Sequence, residues 1–321
     1  MNNVRIIGTG SYTPDNIVSN DELSSFLDTS DEWISSRTGI KNRRISKGEG
    51  TTQLAVNAAR KAIASSHIQA NEIDLIIVAT MSPDNFTPST ACEVQREIQA
   101  DNAMCFDVNA ACSGFVYALN IATTYIKSNM AKKALVIGSE VLSKISDWND
   151  RGTCVLFGDG AGAVIISEAS EEGIMNFHCK SLGKLSQHIT CGARDLNNHY
   201  ISKQTDKYIR MNGQEVFKFA CTYVPASIQK LMEHSPYSLQ EIDYFVLHQA
   251  NKRIISSISK RLKIDINKFY MNIESYGNTS AASIPIALDE MNRKKILVKG
   301  NKIIIAGFGG GLTYGAGLIT I

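Results

Sequence analysis

A thiol set among small residues, in Asn109-Ala110-Ala111-Cys112-Ser113-Gly114-Phe115, is the feature of this chain best suited to covalent chemistry. The residues ahead of it, 103–108, read as a short buried strand, and those after it, 116–122, read as a buried helix. A cysteine at such a strand-to-helix turn meets free N–H groups and the positive end of the helix dipole. These favour the thiolate and are expected to lower the pKa from ~8.5 into a range of roughly 3.5–7.5. Two further residues fit the same chemistry. His248 ends the apolar run Tyr244-Phe245-Val246-Leu247 and opens His248-Gln249-Ala250-Asn251, and Asn278 stands in Gly277-Asn278-Thr279-Ser280-Ala281-Ala282-Ser283. A sulfur nucleophile with two uncharged N–H donors suits acyl transfer through a thioester, the donors holding a developing oxyanion or enolate. Each residue alone has an ordinary alternative. Free cysteine is often core packing, a histidine ending an apolar strand is often a satisfied core group, and asparagine commonly caps helices. Cys92, Cys105, Cys154, Cys179, Cys191 and Cys221 read as packing thiols, and His67, His178, His188, His199 and His234 as surface residues.

The elements that must position the three residues show a repeat. Residues 73–80 form a nearly continuous apolar run, as expected for a strand buried on both faces, and residues 134–138 and 161–166 are two more strands. Leu54, Ala55, Ala58, Ala59, Ala62 and Ile63 recur at helical spacing. Glu72-Ile73-Asp74 returns as Glu241-Ile242-Asp243, an offset of 169 (241 − 72). At that offset Lys133 falls on Lys302, Asn109 on Asn278 and Cys112 on Ala281. A constant offset over several elements implies an internal duplication. Strands alternating with helices predict an α/β architecture, divided into residues 1–172 and 173–321. Ligands of open α/β halves gather at the carboxyl ends of strands. Halves packed about a pseudo-twofold axis are therefore expected to bring Cys112, His248 and Asn278 into one pocket. The run Gly307-Phe308-Gly309-Gly310-Gly311 closes a second-half strand and can bring a backbone N–H close to it.

Composition narrows the function classes. With 321 residues, 44% apolar and 20% charged, and a net charge of +2, the chain reads as a soluble globular protein with a large core. Nothing in that balance argues for nucleic acid. No apolar stretch approaches the ~20 residues needed to span a bilayer, so no membrane insertion is expected. The opening Met1-Asn2-Asn3-Val4-Arg5 leads straight into a strand-like run, so no signal peptide is expected. The seven cysteines show no Cys-x-x-Cys pair and no zinc spacing. Reduced thiols, a cytoplasmic location and no metal follow as expectations. Gly158-Asp159-Gly160-Ala161-Gly162 leads into a strand rather than a helix, which suggests tight packing and not phosphate binding.

Seven segments in chain order then carry a resemblance. They are Asp28-Thr29-Ser30-Asp31-Glu32-Trp33-Ile34, Arg37-Thr38-Gly39-Ile40, the Cys112 segment, Phe157-Gly158-Asp159-Gly160-Ala161-Gly162, His248-Gln249-Ala250-Asn251, the Asn278 segment and Phe308-Gly309-Gly310-Gly311. From end to end the chain resembles β-ketoacyl-acyl-carrier-protein synthase III, the thiolase-fold condensing enzymes that start type II fatty acid synthesis. The resemblance implies a thiolase-like fold, internally duplicated in five αβαβα layers. It implies that a primer acyl-CoA acylates Cys112 and that malonyl-acyl carrier protein then loses carbon dioxide. His248 and Asn278 would hold the thioester oxygen as the enolate forms, and the carbanion would attack acyl-Cys112. The backbone N–H groups of Cys112 and Gly310 would hold the acyl oxyanion. No metal or redox cofactor is implied.

Trp33, Arg37, Arg151 and Gln214 match the family's CoA site, with Gln214 replacing a family asparagine. Flat aromatic and guanidinium faces suit stacking on adenine. A helix is expected from about residue 249 to 262. Its Lys252, Arg253, Lys260 and Arg261, together with Lys218, are implied as the docking face for the acidic acyl carrier protein, although such a charge run is usually only a solvated face. Thr87 stands where many members have phenylalanine, which implies a roomier acyl pocket unless Phe86 turns inward. A homodimer with the Thr87 loops near the interface is also implied. Two rivals stand beside this reading: a related acyltransferase of secondary metabolism, and a non-catalytic protein binding CoA or the carrier.

Overall fold

Each half of the sequence builds one mixed sheet, in a computed structural model that describes residues 3–321. The first sheet contains β1 (Asn3–Tyr12), β2 (Leu75–Ala79), β3 (Met104–Val108), β4 (Lys133–Glu140) and β5 (Gly160–Ala169), in the order β1-β5-β4-β2-β3. The second contains β6 (Ile174–Ser181), β7 (Tyr244–Leu247), β8 (Lys302–Gly309) and β9 (Thr313–Thr320), in the order β7-β8-β9-β6. The parallel pairs β2/β4 and β7/β8 correspond, as do the antiparallel pairs β4/β5 and β8/β9. β3 has no full counterpart; at that side of the second sheet only a bridge joins Phe245 and Phe269.

Side-chain alternation along the strands sorts the layers. Ile76 and Val78 of β2 face outward onto α3 (Thr51–Ser66) and α4 (Thr90–Ile98), meeting Leu54, Ala58 and Val94. Ile304 and Ala306 of β8 face α6 (Gly213–Met232) and α7 (Lys252–Leu262), meeting Phe219, Val224 and Ile258. The intervening residues Ile77, Ile303 and Ile305 point the other way. They share one core with Phe115 and Leu119 of α5 (Gly114–Lys127) and with Ile284 and Leu288 of α9 (Ser283–Arg293). The five αβαβα layers follow. Shorter helices α1 (Asn20–Ser24), α2 (Asp31–Thr38) and α8 (Ile273–Tyr276) lie in the connections. No helix among the described residues is long and apolar enough to cross a membrane.

The duplication holds to the residue where it matters for the site. β4 and β8 differ by 169 at both ends (302 − 133, 309 − 140), as do the 3₁₀ turns Ala111–Ser113 and Ser280–Ala282. Both turns open on a residue with positive φ, 45° at Ala111 and 48° at Ser280. In each, that residue's N–H donates to the asparagine two positions earlier, at 3.2 Å to Asn109 Oδ1 and 2.9 Å to Asn278 Oδ1. Each turn is also wedged against the other half's strand. A Cβ on Gly138 would stand 2.3 Å from the Ala281 carbonyl oxygen, and one on Gly307 would stand 2.9 Å from the Ser113 Cα.

Three local expectations are corrected. β3 is not buried: it is the sheet's outer strand, with Met104 exposed and the other residues partly so. The helix expected from about Gln249 begins at Lys252, because Asn251 caps it by accepting the Arg253 N–H at 2.7 Å. His178 and His188 are half-buried rather than surface residues, and His178 Nδ1 lies 2.8 Å from the Ser227 hydroxyl. The glycines opening β5 do serve packing, since a Cβ on Gly162 would stand 2.5 Å from the Ile286 nitrogen.

Candidate active site

Cys112, His248 and Asn278 line one cavity of about 210 Å³. Cys112 sits on the turn between β3 and α5, the first half's copy of the repeated turn. His248 leaves the carboxyl end of β7, its N–H donating to the Ala306 carbonyl at 2.8 Å. Asn278 follows Gly277, where a φ of +65° and a Cβ that would stand 2.9 Å from the Leu156 carbonyl oxygen leave no room for a side chain. The Asn278 backbone then ties the halves together, donating to Leu156 O at 2.8 Å and accepting from the Gly158 N–H at 3.0 Å.

The electrostatics differ from what the turn alone suggests. Burial pushes the Cys112 thiol up to about 12, against a smaller opposing pull from the Ser280 hydroxyl. The resting sulfur is therefore a protonated thiol, and desolvation outweighs the helix terminus that the sequence brings to mind. Burial also pushes His248 down to about 3, so its imidazole is neutral throughout the physiological range. Its ring meets Phe308 edge-on, with centroids 5.1 Å apart. Nδ1 lies 2.7 Å from Ser283 Oγ, which is also 2.9 Å from the Ser280 carbonyl oxygen. Ser283 gives its hydrogen to the Ser280 carbonyl, which leaves Oγ as an acceptor toward Nδ1; turned onto Nδ1 instead, the same hydrogen would leave the ring proton on Nε2. For Asn278, the Ser280 N–H occupies Oδ1, which leaves the Nδ2 donor for the cavity. Gly310 and Cys112 line the same cavity, and Gly309 packs so closely that a Cβ there would lie 3.1 Å from the sulfur.

Outside the cavity, Trp33 meets two guanidinium groups, Arg37 at 4.7 Å and Arg151 at 5.5 Å from the ring centre. Arg151 is held by the backbone carbonyl and carboxylate of Asp28, the latter at 3.0 Å. Trp33, Arg37 and Gln214 line an open groove with Met211 and Gly213, and those last two also line the cavity, so the two spaces meet there. A neighbouring groove holds Lys218, Arg253 and Gln214, with Lys218 ion-paired to Glu215 at 2.6 Å. Lys252, Lys260 and Arg261 are exposed on α7.

Thr87 and Phe86 stand outside the cavity of their own chain. Both are exposed, Phe86 at 63%, and neither lines the Cys112 cavity; Phe86 lies under the Arg194 guanidinium at 4.7 Å instead. The loop is pinned away from the site. Asp84 accepts the Thr51 and Thr52 N–H groups at the start of α3, and Asn85 donates to Glu93 on α4. The cavity's apolar wall comes from Leu142, Leu156, Phe157, Ile189 and Ile209. Ser280, Ser283, Gly309 and Glu140 are the site residues that sequence reasoning missed. The first three lay inside segments already singled out, whereas Glu140 carried no signal beyond ending an apolar strand.

A family model described as 3-Oxoacyl-[acyl-carrier-protein (ACP)] synthase III matches residues 106–183, and its C-terminal companion matches residues 232–321. A Clostridium botulinum (strain Okra / Type B1) protein named beta-ketoacyl-[acyl-carrier-protein] synthase III is 56% identical over 318 residues, 98% of each chain. The crystal structure of 3-oxoacyl-[acyl-carrier-protein] synthase III from Aquifex aeolicus VF5 matches with TM-score 0.94 and 44% identity, over 99% of this chain and 100% of that one. The priming β-ketosynthase of the R1128 polyketide pathway matches with TM-score 0.93 and 33% identity, over 100% and 96%. The duplicated five-layer architecture and these matches along nearly the whole chain place it in the 3-oxoacyl-[acyl-carrier-protein] synthase III family of thiolase-fold condensing acyltransferases.

Proposed function

We propose that this chain catalyses the decarboxylative condensation that starts fatty acid synthesis, joining a primer acyl-CoA to malonyl-acyl carrier protein through an acyl-Cys112 intermediate. One observation carries the assignment of roles. A thiol, a neutral imidazole and an amide whose oxygen is already occupied line one cavity that joins the Trp33 groove at Met211 and Gly213.

CoA binds with its adenine on Trp33 between Arg37 and Arg151, and Gln214 hydrogen-bonds its arm. The acyl chain lies against Leu142, Phe157 and Ile209. The Cys112 sulfur attacks the thioester carbonyl, the N–H groups of Cys112 and Gly310 hold the oxyanion, and CoA leaves. Malonyl-acyl carrier protein docks by its acidic surface near Arg253, Lys252, Lys260, Arg261 and Lys218, and its arm enters the same groove. Loss of carbon dioxide places negative charge on the thioester oxygen, which Nδ2 of Asn278 and, with the Ser283 hydrogen turned to Nδ1, Nε2 of His248 hold by hydrogen bonds. A neutral imidazole suits this role, because it donates without having to be charged first. The carbanion then attacks acyl-Cys112 and the β-ketoacyl product leaves on the carrier. No step calls for a metal or redox group.

We place the enzyme in the cytoplasm as a homodimer. The half-exposed edge strand β3 and the nearby exposed Phe86 offer a contact in which the Thr87 loop of one subunit reaches its partner.

Intact mass after mixing with acyl-CoAs of increasing chain length tests the reading. Wild type gains one acyl mass, Cys112→Ala gains none, and malonyl-acyl carrier protein discharges the adduct with release of carbon dioxide. An adduct that discharges only to another acceptor favours the secondary-metabolism reading. Absence of any adduct leaves a binding protein.

A further inference from the structure

Glu140, the last residue of β4, is a carboxylate that the scheme above does not use. It is fully buried, with 0% exposure. It accepts hydrogen bonds from the Ser82 hydroxyl at 2.5 Å, the Met81 N–H at 3.2 Å, the Thr80 hydroxyl at 3.3 Å and the Ser280 hydroxyl at 3.0 Å. Every partner is neutral, so a buried negative charge sits here without a countercharge, an arrangement that ordinarily destabilises a fold. Such a group is retained where its charge or its proton is used. Ser280 supplies the link to the site. It is 1% exposed, it lines the same cavity as Cys112, its hydroxyl pulls against the rise of the Cys112 thiol, and it stands on the positive-φ position of the repeated turn. Because the Ser280 hydrogen is given to Glu140, its oxygen is free to accept the Cys112 S–H. The hydroxyl thus stands between carboxylate and thiol, bonded to Glu140 and sharing the cavity with the sulfur.

We propose that the Cys112 thiol proton passes through the Ser280 hydroxyl to the Glu140 carboxylate during acylation and is held there until the sulfur leaves again. The proposal rests on the acylation reading above. As the sulfur bonds to the acyl carbon, its S–H bond breaks, Ser280 takes that proton and passes its own to Glu140. The bond from the acyl carbon to the CoA sulfur breaks, and the CoA thiolate takes a proton from solvent. In the condensation the Cys112 thiolate is expelled and recovers the stored proton by the reverse path. One solvent proton is consumed and one carbon dioxide released per cycle, which balances the overall reaction. Glu140 acts only through Ser280, as a positioning and proton-holding residue.

Burial raises Glu140 to about 7, which suits a group that must both take and return a proton near neutrality. Among the ionisable groups around it, Cys112 feels its charge, which raises the thiol. Lys144 is occupied by Asp84 at 2.8 Å, and Asp159 by Ser143 and Ser46. Asp107 holds the Thr90 and Ala91 N–H groups, while Asp289 and Glu290 on α9 pair with Arg293 and Lys294.

The test compares wild type, Glu140→Gln, Ser280→Ala and the double variant across pH 5–9. Three rates are read: Cys112 acylation by acyl-CoA, Cys112 alkylation by iodoacetamide, and carbon dioxide release from a malonyl thioester by unacylated enzyme. The relay requires each single variant to slow acylation and alkylation by about 100-fold or more and to erase the inflection near neutrality. The double variant should be no worse than either single one, because the residues act as a unit. Carbon dioxide release should stay within about threefold of wild type, which a merely collapsed site would not allow. A purely electrostatic Glu140 gives the opposite sign: removing its charge eases thiolate formation and speeds both sulfur reactions. Faster or unchanged rates in Glu140→Gln overturn the relay. Should that variant fail to fold, Ser280→Ala decides, an unaltered pH profile overturning the proposal and a flattened one supporting it. Should wild type form no acyl adduct, the function reading fails while the iodoacetamide rates still judge the relay.

Discussion

Replacing Asn278 by aspartate separates the two oxyanion sites. Aspartate keeps the oxygen that accepts the Ser280 N–H at 2.9 Å and the backbone bonds to Leu156 and Gly158, so the turn survives. It loses only the Nδ2 donor, one of the two groups assigned to the enolate. Deleting one such donor elsewhere costs about 2.7–4 kcal/mol, or roughly 100- to 1,000-fold in rate. The residue is 8% exposed, so an ionised carboxylate here would also repel the developing enolate and deepen the loss. Acylation relies on backbone donors and should be much less affected. The assay follows carbon dioxide release from malonyl-acyl carrier protein alongside the intact mass of acyl-Cys112. At pH 8 decarboxylation should fall by at least about 100-fold, and as pH drops and the new carboxyl protonates, its O–H should replace the lost donor and recover part of the rate. Decarboxylation within about threefold of wild type at pH 8 would refute the donor role. Equal loss in both half-reactions would refute the division between backbone and side-chain donors.

Three other outcomes follow from the same geometry. Gly309→Ala would place a Cβ 2.8 Å from the Cys112 Cβ, and overpacking of this kind should lower stability by about 1–3 kcal/mol in urea unfolding and suppress the acyl adduct. His248 has its pKa lowered from 6.5 to about 3, so it supports the fold above pH 6.5 and that support is lost as pH falls toward 3. His248→Gln should therefore flatten the acid limb of a stability–pH curve, and wild-type decarboxylation should show no inflection at the ordinary histidine value. Reversing Arg253 and Lys252 to glutamate should raise KM for malonyl-acyl carrier protein and blunt its salt dependence. A free malonyl thioester should be little affected, and the exposed Lys218 should matter less because Glu215 already holds it.

Much of this was legible because the duplication fixes positions. The offset of 169 relates Asn109 to Asn278 and Cys112 to Ala281, and the structure repeats it in turn geometry as well as in sequence. What escaped depends on contacts distant in the chain. The apolar run Met104-Cys105-Phe106-Asp107-Val108 reads the same for a central and an outer strand, and only the sheet order separates them. The Phe86–Thr87 loop faces outward because of hydrogen bonds from Asp84 to Thr51 and Thr52, more than thirty residues away (84 − 52 = 32). The Cys112 pKa escaped because local turn chemistry favours a thiolate, whereas the sulfur is buried against Gly309 of the other half, far along the chain. Glu140 looked like any charged strand end until its partners were assembled.

The mutual wedging of turn and strand also limits how the molecule can move. With Gly138 against Ala281 and Gly307 against Ser113, a hinge or sliding motion between the halves would drive backbone into backbone. The distance from sulfur to amide donor is thereby locked by the joint itself. Substrates cannot be admitted by parting the two halves, as in enzymes that clamp between domains. If both thioesters use the passage where Met211 and Gly213 join groove and cavity, CoA has to vacate it before the carrier's arm can enter. The rigid joint thus imposes an order of events: one thioester in, its thiol out, and only then the next.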